Sequence, residues 1–412
     1  MKEARKNGSK QKKWIKKRHS VIRAVAGVLM KPVLKHKYHI TIEKFDEKPQ
    51  RQYLILFNHQ TPADQFFVSL SFKKPVYYVA SEDIFSNGLI SKLLRFAAAP
   101  VPIKKFTGDA RAVLTCVKIA SEGGTIAMAP EGNRTYSGRT CYIMRSVVPF
   151  VRKLKLPVLL YRIEGGYGAE PRWSSCVRKG SMRSHVFRVI EPEEYEQLSD
   201  DELYTAIKEG LFVDEGKAEG LYISGKKAEY IERAAYVCPF CGLSVFESKK
   251  NCVTCTKCGR TVEYGEDKRL SGKGFDFPFE FYGEWYDYQN SFVKGLAADA
   301  YTAEPMFRDK ADLYRVNLYK NKERTGRDVE IALFSDRIEL SGGGAGASVI
   351  PFCEVSATTV LGRNKLNIYH GKNTLQIRGG KRFNALKYVN MYYKYRSVNK
   401  KTGEEYGEFL GL

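Results

Sequence analysis

His59 and Asp64 stand five positions apart, directly after the apolar run 53–57, and as a pair they suit proton transfer. A histidine oriented by a carboxylate can take a proton from a hydroxyl near neutral pH. The run Tyr53-Leu54-Ile55-Leu56-Phe57 is aromatic and branched, and reads as a buried strand. Thr61-Pro62-Ala63-Asp64 then reads as a helix start, with Thr61 as N-cap, Pro62 at the first helical position and Asp64 at N3. Residues five apart do not share a helix face, but His59 precedes the cap, where the chain can bend its imidazole back to Asp64. The same residues also fit a quieter role, with Asp64 completing the cap and His59 a hydrogen-bonded turn residue.

A second polar group follows a turn at 121–125 and the short apolar strand 126–129. It is Pro130-Glu131-Gly132-Asn133-Arg134-Thr135. Gly132 permits a backbone turn that other residues resist. Arg134 at a strand end suits a bidentate phosphate contact, and Lys104 a point-charge contact. The alternative for Arg134 is a surface ion pair with Glu131. Glu131 itself suits either a grip on a substrate hydroxyl or the orientation of its own loop.

These segments resemble the glycerolipid acyltransferases, typified by bacterial 1-acylglycerol-3-phosphate acyltransferase. The family's first block, His-x4-Asp, is matched by His59 and Asp64. Its Pro-Ile-basic block is matched loosely by Pro100-Val101-Pro102-Ile103-Lys104-Lys105, and its Pro-Glu-Gly-Thr-Arg-Ser block by 130–135. A final block centred on a proline finds a counterpart in Leu156-Pro157-Val158-Leu159-Leu160. Order and spacing fit across roughly residues 50 to 190. Asn133 departs from the usual Thr and Lys104-Lys105 from the usual pair, but both keep polar or cationic character.

The resemblance implies acyl transfer from a thioester donor, acyl-CoA or acyl-carrier protein, to the sn-2 hydroxyl of lysophosphatidate. His59 is then the general base and Asp64 its orienting carboxylate, with Lys104, Glu131, Gly132, Asn133 and Arg134 binding substrate. Another lysolipid acceptor is the nearest alternative. The mechanism needs no acyl-enzyme and no redox cofactor. Cys116, Cys141 and Cys176 have no adjacent histidine and read as ordinary reduced thiols.

Strands at 53–57, 75–80 and 126–129 alternate with helix-like spacing at 109–121 and 193–207. That alternation predicts an α/β domain over 46–225, its mixed sheet covered by helices. Two Cys-x2-Cys knuckles follow, Cys238 with Cys241 and Cys255 with Cys258, each ending in glycine. Four thiolates so spaced fit tetrahedral zinc, so 226–265 is expected to be a structural zinc ribbon. So short a segment can build little core, and zinc would supply much of its folding energy. Cys252 offers a competing knuckle with Cys255, but only the 255–258 pair repeats the Cys-Gly ending. The odd cysteine count argues against a disulfide framework.

The aromatic-rich segment 266–305 reads as an extended connector packed on a neighbour. Over 306–412, strand patterns recur at 329–334, 337–340, 348–351, 355–360, 365–369 and 374–378, and a helix begins near Arg382. This β-rich accessory domain resembles a pleckstrin-homology-like fold.

The chain has 412 residues and a net charge of +22, concentrated in residues 1–40, which hold thirteen Lys or Arg against a single Glu. The basic arm leads into the apolar run 21–30, helix-compatible and expected to stop at Pro32. That run is too short and too flanked by charge to span a bilayer, and no small-residue cleavage site follows it. Segment 1–45 therefore reads as a peripheral or monotopic attachment to an anionic membrane surface, on the cytoplasmic face. The rival from another class is a non-catalytic zinc-ribbon protein that binds nucleic acid or membrane through this arm. The acidic character of the aromatic segment speaks against base stacking there, and nucleic acid is the less favoured partner.

Overall fold

The computed structural model describes residues 13–104, 109–297, 299–344, 346–371 and 373–399. Lys105 and the basic residues before position 13 lie outside this set. The first unit is a seven-stranded sheet of β1 (Ile40–Ile42), β2 (Leu54–Phe57), β3 (Val76–Ser81), β4 (Val101–Ile103), β5 (Thr125–Met128), β6 (Val158–Glu164) and β7 (Met182–Ile190). The strand order is β1-β7-β6-β2-β5-β3-β4. Only β6 and β7 run antiparallel, so the sheet is mixed, as expected.

Helices cover both faces. They are α1 (Lys17–Tyr38), α2 (Asp64–Ser71), α3 (Gly88–Ala97), α4 (Ala110–Ser121), α5 (Val147–Leu154), the short α6 (Gly166–Ala169) and α7 (Pro192–Tyr195), and α8 (Asp200–Leu211). Alternate residues of β2 point to opposite faces. Leu54 and Leu56 join Ile119 of α4, Val151 of α5 and Ile207 of α8. Ile55 and Phe57 join Leu34 of α1 and Phe67 of α2. Burial on both faces is why β2 reads as an unbroken apolar run.

Two local expectations are corrected here. α1 does not stop at Pro32 but passes through it to Tyr38. Proline removes the hydrogen bond to the carbonyl four residues earlier, and Val28, which carries that carbonyl, lies on the exposed face where water can replace it. Residues 17–45 also pack into the sheet unit: β1 pairs with β7, and Leu34 and Tyr38 enter its core.

The cysteine-rich segment forms the two-stranded β8 (Val237–Cys238) and β9 (Gly242–Leu243), then a sheet of β10 (Phe246–Lys249), β11 (Cys252–Cys255), β12 (Thr261–Tyr264) and β13 (Leu270–Gly272). The segment expected as an extended connector is only partly so. Phe275, Phe277 and Phe279 stack edge to face in series, but α9 (Tyr282–Gly295) is a helix. Its buried residues Tyr282, Trp285, Tyr286, Gln289, Asn290 and Val293 keep strict helical spacing.

The last unit is an antiparallel sheet of β14 (Phe307–Val316), β15 (Glu323–Leu333), β16 (Arg337–Ser341), β17 (Ser348–Pro351), β18 (Val355–Leu361), β19 (Lys365–His370) and β20 (Asn373–Gly379). Its order is β17-β16-β15-β14-β20-β19-β18, so two meanders meet where β14 pairs with β20. Helix α10 (Leu386–Val398) lies on it, with the Tyr392 hydroxyl donating to the Val355 carbonyl at 2.9 Å. Cys238, Phe246, Trp285, Phe352 and Tyr392 belong to one continuous apolar cluster. The cysteine module therefore does not fold on metal alone; it shares a core with α9 and the C-terminal sheet.

Candidate active site

In an open α/β sheet, ligands bind beyond the carboxyl ends of the strands. Here β2 leads into His59, β5 into the 130–135 loop, and β4 into Lys104. The Asn58 side chain clamps the first of these turns to β6, accepting from the Ile163 N–H at 2.7 Å and donating to the Ile163 carbonyl at 2.8 Å.

His59 Nδ1 lies 2.8 Å from Asp64 Oδ2. The helix proper begins at Asp64, so Thr61–Ala63 form a turn rather than the first helical residues. Thr61 is therefore not the N-cap, and no side chain caps the helix. Instead the Asp64 carboxylate gathers the turn, with the Thr61 N–H donating to Oδ1 at 2.9 Å, the Gln60 N–H to Oδ2 at 2.7 Å, and the Thr61 hydroxyl to Oδ1 at 2.7 Å. Asp64 is fully buried while the His59 side chain is 24% exposed. With Nδ1 turned inward to the carboxylate, Nε2 is the nitrogen presented outward.

The 130–135 loop is latched to His59 in both directions. The His59 N–H donates to Glu131 Oε1 at 2.6 Å, and the Thr135 N–H donates to the His59 carbonyl at 3.2 Å. Glu131 Oε2 accepts from the Cys141 N–H at 2.5 Å. Burial pushes the Glu131 carboxyl up to about 8, against the pull of these two backbone donors. Gly132 has φ +67°, the left-handed turn expected of it.

Arg134 makes no surface ion pair with Glu131. It is buried, and its Nη1 has no hydrogen-bond partner among the described residues. Burial, then the neighbouring Arg172 charge, holds its guanidinium down to about 10. Asn133 Oδ1 accepts from Arg172 Nη2 and from the Thr359 hydroxyl, both at 3.3 Å. Lys104 stands at the end of β4, its N–H donating to Asp109 Oδ2 at 3.3 Å, and its charge is felt by the buried Glu82.

Sequence reading missed three residues around this centre, Tyr38, Glu170 and Arg172, and did not place Arg363, one of the basic residues of the C-terminal domain, beside them. The Tyr38 hydroxyl donates to Glu170 Oε2 at 2.7 Å, and Arg363 Nη2 meets Glu170 Oε1 at 2.5 Å. No local pattern marks them, because the contacts join α1, the loop after α6 and a turn of the C-terminal sheet.

Away from this centre, Cys238, Cys241, Cys255 and Cys258 place their Sγ atoms within 4.8 Å of one another. Cys252 is outside the cluster. Sγ of Cys238 and Cys258 are 3.8 Å apart, and those of Cys241 and Cys255 are 3.6 Å apart. A tetrahedron of thiolates about 2.3 Å from zinc has edges of about 3.8 Å, so these four residues fit such an ion. Gly242 and Gly259, each following a knuckle, have φ +75° and +72°.

Residues 39–163 match the family model described as Acyltransferase. No curated protein matches the chain. Among solved structures, the chain is similar to the 1-acyl-sn-glycerophosphate (LPA) acyltransferase PlsC from Thermotoga maritima. The identity is 18%, over 47% of this chain and 76% of that one, with a TM-score of 0.37.

Proposed function

We propose that this chain, whose residues 39–163 match the Acyltransferase family model, moves a fatty acyl group from a thioester donor to the sn-2 hydroxyl of lysophosphatidate. The observation that carries this reading is the 2.8 Å contact of His59 Nδ1 with the buried Asp64 carboxylate at the carboxyl end of β2. Nδ1–H donation to Asp64 leaves Nε2 unprotonated, the tautomer a base requires. Nε2 takes the proton of the acceptor hydroxyl as its oxygen bonds to the thioester carbonyl carbon. The carbon–sulfur bond breaks, and the thiolate leaves with the proton returned by the imidazolium. Asp64 stabilises that cation while it exists.

Arg134 and Lys104 are the groups we assign to the acceptor phosphate. The unpartnered Arg134 Nη1 supports this, since a buried donor without an acceptor is costly unless a ligand supplies one. Glu131 is assigned to loop positioning, because both its oxygens are engaged by backbone N–H groups. Gly132 and Asn133 shape the same loop. The four clustered thiolates would hold a zinc ion, which serves structure because four cysteines fill its coordination. The C-terminal sheet and its helix are read as a pleckstrin-homology-like unit that docks onto the catalytic one.

No helix among the described residues is long and apolar enough to cross a membrane. Val21, Val25, Val28, Leu29 and Val33 of α1 nevertheless face outward, as do Leu89, Ile90, Leu93 and Phe96 of α3. The two helices adjoin, with Arg18 donating to the Phe96 carbonyl at 3.0 Å. An apolar surface beside so basic a segment supports peripheral attachment to anionic lipid.

The test is an assay of purified full-length protein with detergent-dispersed lysophosphatidate and a panel of acyl-CoA and acyl-carrier-protein donors, comparing wild type with His59→Ala. Phosphatidate made by wild type and lost in a variant of unchanged melting temperature is the expected result. A zinc-ribbon binding protein without catalysis would give no product with any donor, and its binding would be indifferent to the substitution.

A further inference from the structure

Among the contacts of the C-terminal sheet with the candidate active site are those of the end of β18 and of the turn Gly362-Arg363-Asn364 that leads to β19. Asn364 pins the turn by donating to the carbonyls of Gly379 at 3.2 Å and Gly380 at 3.0 Å. Arg172 braces it from the other side. Its guanidinium donates to the Arg134 carbonyl and to the Val360 carbonyl, each at 2.7 Å, so the 130–135 loop and β18 are tied to one planar fork. The Thr359 hydroxyl reaches Asn133 alongside.

This brace brings three guanidiniums together, Arg134, Arg172 and Arg363, close enough that the charges of the other two weigh on Arg134. Glu170 is the acid in direct contact, shared between Arg363 and Tyr38, with the Asp64 carboxylate acting from further off. Cations gathered out of water repel one another unless an anion joins them. Arg172 is spent on protein carbonyls, but Arg134 keeps an unpartnered Nη1. Arg363 is one-third exposed and, among the described residues, engages only Nη2.

We propose that Arg363, delivered by the C-terminal unit, is a further ligand for the phosphate of the acceptor beside Arg134, so that the active site is completed by a segment more than two hundred residues from the Arg134 loop. This rests on the reading of the acceptor as an anionic lysolipid. A phosphomonoester offers several oxygens, and two guanidiniums from different elements can grip it where one could not. Arg172 is then a positioning residue and Arg363 a specificity-determining one.

Steady-state kinetics on the full chain with lysophosphatidate test this in Arg363→Gln, Arg363→Lys and Glu170→Gln. Arg363→Gln is expected to raise KM roughly 10- to 100-fold with kcat within a few-fold of wild type, in line with loss of a charged hydrogen bond. Arg363→Lys should recover part of it. Glu170→Gln, which removes the competing counter-charge, should lower KM. If Arg363 served only as half of a structural ion pair, Arg363→Gln and Glu170→Gln would raise KM alike, and the proposal would be wrong. Unchanged KM in Arg363→Gln would sink it equally. If wild type does not acylate lysophosphatidate at all, the functional reading above fails. Calorimetric titration with sn-glycerol 3-phosphate then judges the subsite alone: binding weakened in Arg363→Gln supports it, and no binding or equal binding overturns it.

Discussion

At Asp64 one carboxylate serves both an imidazole and the turn that carries it. Oδ2 meets His59 Nδ1 and the Gln60 N–H, while Oδ1 takes the Thr61 hydroxyl. Asparagine would keep one acceptor oxygen but set an NH2 group against these donors. His59→Ala should lower kcat by about 10²–10⁴, the usual contribution of a general base. Because the two groups act as a unit, Asp64→Asn should fall within about tenfold of it, and the double variant should be no worse than the worse single. Losses that multiply would show that the pair acts independently. Glu131 makes a different prediction. Below about 4.5 its carboxyl is protonated folded or unfolded, so it adds no pH dependence. As pH rises toward about 8 the unfolded chain gives up the proton and the folded chain retains it, so stability is lost through that window. Urea midpoints of wild type minus those of Glu131→Gln should therefore decline from pH 4.5 to 8. A flat difference would mean the buried carboxyl is ionised throughout.

At the scale of elements, the cysteine module is where chemistry and packing meet. The Trp285 indole N–H donates to the Val237 carbonyl at 2.8 Å, one residue before Cys238, and its ring lies 5.3 Å from both Phe246 and Phe277. Removing metal with a chelator should thus disturb the shared core: red-shifted tryptophan emission, proteolysis near α9, and reversal by zinc. A loss of even about 3 kcal/mol corresponds to a melting temperature lower by about 6–12 °C in a unit of this size. Cys255→Ser should reproduce the effect and Cys252→Ser should not; the reverse ranking would relocate the site. That site was legible because its signal is local, two knuckles each closed by a glycine. So was most of the C-terminal sheet, where strands alternate between turns. β14 was missed because the charged Asp309 shares the inward face with Phe307, Ala311 and Leu313 and breaks the apolar alternation in the sequence, while the bulge beside it lies in β15. α9 was misread because its aromatic residues favour strands by type, although their spacing is helical. The motifs that carry His59, Asp64 and Arg134 were readable for the same reason of locality, whereas Arg172, Arg363 and Glu170 have meaning only once distant elements meet.

Across the whole molecule, the outward apolar residues of α1 and α3 form a single surface that the packing of the units leaves uncovered. α3 follows the carboxyl end of β3, the edge of the sheet that also bears His59, so a lipid bilayer met by this surface would present its lysolipids near the base. Val28 is 74% exposed and Leu93 68% exposed, so neither contributes much to the folded core. Burying such a side chain in lipid is worth about 1.5–3 kcal/mol, and each nearby Lys or Arg adds about 1 kcal/mol at an anionic surface. Val28→Glu or Leu93→Glu should accordingly weaken co-sedimentation with phosphatidylglycerol vesicles at least tenfold while leaving the melting temperature within a few degrees. The double variant should stay in the supernatant. Zwitterionic vesicles should bind wild type poorly, and raised salt should release it from anionic ones, since the charge contribution is screened while the apolar one is not. Turnover of a short-chain, soluble lysophosphatidate should be untouched by either substitution, because the chemistry at His59 does not need the membrane once the acceptor is in solution. Equal loss with soluble and vesicle-borne acceptors would instead place these residues inside the catalytic unit's own packing.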